Sequence, residues 1–172
     1  MFLILIKKLI AKKRLINFNP INVNQAVDSF KIANIGILNS NSSKDSNQVL
    51  LNELIDLMPI DAKIHTLTFF DNAKEISHVD SSFSHQSFNL FCNITDDHLV
   101  NFLSQDFDLL INFYPINQPF LELASHLSKS KFKVGLSAKN LVFNSFVIET
   151  DVNQPNEFAL ELKKYLKLMH KI

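Results

Sequence analysis

Apolar and polar residues come in blocks along this chain, and the period inside the blocks changes from one to the next. Five runs have the branched and aromatic content of strands and end in polar loops: KIANIGIL (31–38), KIHTLTFF (63–70), FDLLINFY (107–114), KFKVGL (131–136) and NSFVIET (144–150). A weaker candidate is SFNLF (87–91). Between these runs the apolar positions recur at helical spacing, with Leu51, Leu54, Ile55 and Met58 on one face and Phe120, Leu123, Ala124 and Leu127 on another. Phe158, Leu162, Tyr165 and Met169 form the stripe of a last helix after Pro155. Start signals agree: Ser43 heads a helix over 44–58, Thr95 precedes Asp96 and Asp97, and Pro119 suits a first helical position.

Runs such as NIGIL and DLLINF are apolar almost throughout, as strands covered on both faces are. The pattern predicts an α/β fold: a three-layer sandwich with a mostly parallel sheet, flavodoxin-like or Rossmann-like, its strand order open, preceded by a basic N-terminal helix. With 172 residues and 47% hydrophobic content, residues 18–172 read as one α/β domain behind a helix at 1–17. The stretch from Asp71 to Gln86, rich in serine and histidine, reads as the least structured part.

Charge adds an asymmetry. Basic and acidic residues cancel over the whole chain, so no overall field draws it to DNA, and no specific DNA binding is expected. Lys7, Lys8, Lys12, Lys13 and Arg14 nevertheless stand among the first sixteen residues without an acid, which leaves twelve basic against seventeen acidic residues beyond them. The opening MFLILI puts its apolar run before the lysines, the reverse of a secretory signal, and no later run reaches the ~20 apolar residues of a membrane span. Cys92 is the single cysteine, so the chain fits a reducing cytoplasm.

Candidate chemistry is sparse. The stretch ILNSNSSKDSN (37–47) lies where open α/β sheets bind ligands, at a strand's carboxyl end and the start of a helix. A pyrophosphate cradle needs glycine for close backbone approach, and the two glycines, Gly36 and Gly135, both fall inside predicted strands. Either the loop holds a single phosphate through its hydroxyls, or Asn39, Ser40, Ser42 and Ser43 turn the chain and cap the helix. Ser40, Ser42, Ser43, Asp71, Asn112 and Ser137 make up the most plausible ligand-binding rim, and no catalytic set and no cofactor stands out. His78, His85 and Cys92 lack the paired spacing of a zinc site. No GxSxG elbow occurs, and Asp106 and Asp108 read as the end of a helix and the start of a strand.

The basic N-terminus is the strongest functional clue. As a helix it aligns Phe2, Leu5, Ile6, Leu9 and Ile16, with Lys13 inside the stripe. Either it docks on an anionic membrane, a ribosome or another RNA through Lys7, Lys8, Lys12, Lys13 and Arg14, or it packs its apolar face on the domain while the lysines stay solvated.

In FDLLINFY (107–114), LSKSKFKVGL (127–136) and LKKYLKLMHKI (162–172) the chain resembles a domain-of-unknown-function family of Bacteroidota. The resemblance implies a basic N-terminal segment leading into a Rossmann-like α/β body, and it carries no catalytic residues over. Where that family's pattern has glycine after an aromatic, this chain has Phe91-Cys92. A fainter similarity, in Asp108, Leu109 and Lys133 to Gly135, links it to the N-terminal half of heptosyltransferase-like glycosyltransferases, without their sugar-nucleotide half. The reading that results is a cytoplasmic, non-catalytic module for an unknown protein partner, peripheral to the inner membrane or a ribonucleoprotein surface. The alternative is a small-ligand or phosphate-binding enzyme.

Overall fold

The computed structural model describes residues 2–17, 30–76, 81–136 and 144–172. Its elements follow the order α1 (Phe2–Ile16), β1 (Asn34–Ser40), α2 (Lys44–Leu57), β2 (Lys63–Phe70), β3 (Ser82–Ser84), α3 (Asp97–Leu103), β4 (Leu109–Phe113), α4 (Pro119–Leu127), β5 (Phe132–Leu136), β6 (Phe146–Ile148) and α5 (Pro155–Leu168). All five strand pairings are parallel, in the order β3-β2-β1-β4-β5-β6. That order matches the doubly wound sheets that bind dinucleotides, a match of strand order alone, and not the 2-1-3-4-5 order of flavodoxins.

Two cores lie on the two faces. Because successive side chains alternate, β1 sends Leu38 to one face and Ile35 and Ile37 to the other. The first face is covered by α1, α3 and α4 and is dominated by aromatics: Phe69 packs on Phe83 and Phe120, and Phe88 on both. The second is covered by α2 and α5, through Leu50, Leu54, Phe158 and Leu162. The α2 crossover from β1 to β2 and the α4 crossover from β4 to β5 move in opposite directions across the sheet. They lie on opposite faces, as right-handed connections require.

The caps follow from local chemistry. Asp96, one residue later than the sequence suggested, caps α3 by accepting from the His98 and Leu99 amides. Pro119 and Pro155 each open a helix, where a missing N–H costs nothing. SFNLF is not a strand. Its Phe88 makes only an isolated antiparallel bridge to Ile94, whereas β3 lies in the stretch that read as unstructured.

Asp108 pins the amino ends of the strands. Its carboxylate accepts from the Ala33 and Asn34 amides at 3.0 and 2.9 Å and from Lys131 Nζ at 2.7 Å, joining the chain before β1, β4 and β5. Burial alone raises this acid's pKa, but the Lys131 bond and the two amides outweigh it and hold the carboxyl below its ordinary value of 3.8. A depressed carboxyl stabilises the fold above its unfolded pKa and loses that contribution as pH falls through the native one. Asp108→Asn is expected to lower stability at pH 7 by about 1–3 kcal/mol. In urea unfolding at stepped pH, the gap between variant and wild type should close on acidification below 3.8.

Candidate functional site

The N-terminal helix is built into the domain. Lys7, Ala11 and Leu15, one residue per helical turn, face inward, and Ala11 and Leu15 join the aromatic core. Lys7 is only 8% exposed, yet its ammonium is satisfied: Nζ donates to the His85 carbonyl at 3.1 Å and to that of Phe88 at 2.5 Å. Two turns on, Arg14 donates to the Phe91 and Cys92 carbonyls and to Asn93 Oδ1. Two cations thus clamp α1 to the loop at 85–93.

Cys92 completes the contact. It is fully buried, has a positive φ of 59°, and its thiol donates to the Lys7 carbonyl at 3.3 Å. Burial pushes its pKa up against the opposing pull of Arg14 and Lys7, so the thiol is unreactive while α1 covers it.

The stripe recognised in the sequence points the other way. Phe2, Leu5, Leu9 and Ile16 are 77%, 55%, 68% and 81% exposed, and only Ile6 of that set is half-buried. Lys12 and Lys13 are exposed beside this ridge, with Lys12 in electrostatic reach of Glu122 on α4. Lys8 pairs loosely with Asp71 at 3.9 Å. Of the five cations, Lys7 and Arg14 are engaged in holding the helix, and Lys12 and Lys13 face water.

The rim residues separate. Ser40 caps the turn at 41–43, its hydroxyl accepting from the Ser42 amide and lying 2.8 Å from the Ser42 hydroxyl. Ser43 precedes α2 without a side-chain cap bond. Asp71 reaches toward α1, and Ser137 lies outside the described residues. Asn112 is 2% exposed and sits inside the protein, donating to Ser125 Oγ at 2.8 Å and Asn144 Oδ1 at 2.6 Å. Beside it the Lys133 ammonium donates to the Ser125 and Ser128 carbonyls that end α4, and burial lowers its pKa to about 8. These interior groups complete a helix end.

Among the described residues no group of three or more His, Cys, Asp or Glu side chains could hold a metal, and His78 lies outside them. No described helix is long and apolar enough to cross a membrane.

Removing the clamp has a direct readout in the thiol it covers. Lys7→Met leaves the His85 and Phe88 carbonyls without their donor and should cost about 1–3 kcal/mol. The expected signature is faster reaction of Cys92 with a thiol reagent under native conditions, followed by absorbance.

No curated protein and no solved structure matches the chain. The model of a family of unknown function, DUF6913, matches residues 5–169, which takes in every element except the first turn of α1. The chain therefore belongs to DUF6913, a family of unknown function.

Proposed function

We propose that this protein is a non-catalytic docking module, cytoplasmic and peripheral to the inner membrane, that lays the outer side of α1 on an anionic lipid surface. The observation that carries this reading is the ridge of Phe2, Leu5, Leu9 and Ile16, more than half exposed at every position and flanked by Lys12 and Lys13. The helix already buries Ala11 and Leu15 on its inner side, so the outer ridge contributes nothing to the core. Contiguous apolar residues in water mark a surface that something covers. An interfacial helix uses both features together: apolar side chains enter the headgroup boundary while lysines meet the lipid phosphates.

RNA is a poorer match, because phosphate contacts engage the lysines and leave the ridge in water. A ligand-binding enzyme at the serine rim has less support, since Ser40 and Ser42 bond each other and Asn112 is internal.

Flotation with phosphatidylglycerol-containing vesicles tests the proposal. Binding is expected to weaken with salt and to be absent with pure phosphatidylcholine. Each cation at such a surface contributes about 1 kcal/mol, so Lys12→Gln with Lys13→Gln should weaken binding roughly thirtyfold. Leu5→Ser with Leu9→Ser should abolish it without lowering Tm, because both side chains already face water. Vesicle binding that ignores both pairs of changes, or none at all by the wild type, would sink the reading. Dimerisation lost in the leucine variant would make a second copy the occupant instead.

A further inference from the structure

The sheet is not equally covered on its two faces. On the face of α2 and α5, β2 is covered unevenly: Ile64 packs into the core there, while Thr66, Thr68 and Phe70 stay half-exposed. A groove of about 340 Å³ runs between this part of the strand and α2, and Asn39, Lys44, Asn47, Thr66, Thr68 and Phe70 contribute to its wall.

Two amide oxygens in it lack donors. Asn39 on β1 is 5% exposed, and its Oδ1 is buried without a hydrogen-bond partner among the described residues. Asn47, in the first turns of α2, donates its Nδ2 to the Ser40 carbonyl at 2.8 Å, and its Oδ1 is likewise buried and unpartnered. That donation fixes which end of the Asn47 amide is the acceptor. A buried carbonyl oxygen without a donor is destabilising, and two in one groove make a pair of acceptors that a ligand's N–H groups, like water, can satisfy.

The remaining walls narrow the ligand. Phe70 offers a half-buried ring and Thr66 and Thr68 offer hydroxyls, while the volume is at the low end for ligand cavities. The start of α2, a helix of 14 residues whose Ser43 makes no side-chain cap bond, and the Lys44 ammonium supply positive potential at one end. Asp45 shares that turn and weakens the attraction for an anion, so recognition falls to the amide oxygens.

We infer that this groove binds a nucleobase or nucleoside, a small flat ring whose N–H groups donate to Asn39 and Asn47 beside Phe70. The site lies on the face opposite α1 and does not depend on the membrane reading. In a ¹⁵N NMR titration of the full chain with adenosine and cytidine at millimolar concentration, amides of residues 37–48 and 66–70 should shift. Asn39→Leu should weaken binding by about tenfold or more while Tm holds or rises, because the unpaired oxygen is gone. Thr68→Val, at a half-exposed position, should weaken it less and keep the test open if Asn39→Leu misfolds. Three results would overturn the inference: no shift with either nucleoside, equal binding by Asn39→Leu, or the same shifts from inorganic phosphate alone.

Discussion

A parallel sheet must be covered on both faces, because its connections return over it and its strands are too apolar to meet water. Here the links from β2 to β3 and from β5 to β6 contain no described α-helix, only the one-turn 3-10 helix Ala73–Glu75 in the first, so the described covering helices are fewer than the connections between strands. The N-terminal helix makes up the deficit on one face, packing on α4 and closing the aromatic core through Ala11 and Leu15. On the other face the cover over β2 is partial, with Ile64 packed and Thr66, Thr68 and Phe70 half-exposed. The docked helix and the open groove are two outcomes of the same shortage.

Docking α1 imposes its own cost, since the inner line of the helix begins with a lysine. A buried ammonium is tolerated only when hydrogen-bonded. The loop at 85–93 meets that need by turning its carbonyls toward Lys7 and Arg14, and the turn requires a left-handed residue at Cys92. Glycine takes that conformation freely. Cysteine accepts some strain and returns a buried side chain with a bond to the Lys7 carbonyl. The two glycines that remain serve close packing within strands: a Cβ on Gly36 would meet the Phe107 ring at 2.8 Å, and one on Gly135 would strike the Asn144 side chain.

Most of the sheet was legible because burial on both faces writes strands as unbroken apolar runs, and KIHTLTFF has the same limits as β2. β1 runs on through Asn39 and Ser40, polar residues held in the strand by pairing with β2. β3 was missed because three residues with two serines carry one apolar signal, Phe83. The α1 stripe was recognised and its direction was not, since helical period identifies a face without saying what it meets, and a lysine can line a core when carbonyls await it. The rim failed to assemble for a related reason: sequence places Asn112 on a strand but not which interior groups it meets. Asn39 read as a turn residue and Asn47 as part of a helix, and only the half-exposed flank of β2 gives their oxygens another meaning.

The outermost strands, β3 and β6, are three residues each. A longer margin would present a row of unpaired amides and carbonyls on which a strand from another molecule could align. Margins this short offer a ladder of one or two rungs, too little to seed stacking between neighbours. The protein can therefore keep a strongly apolar pleated centre and display sticky side chains on its first helix without inviting fibrous growth from the flanks of its sheet.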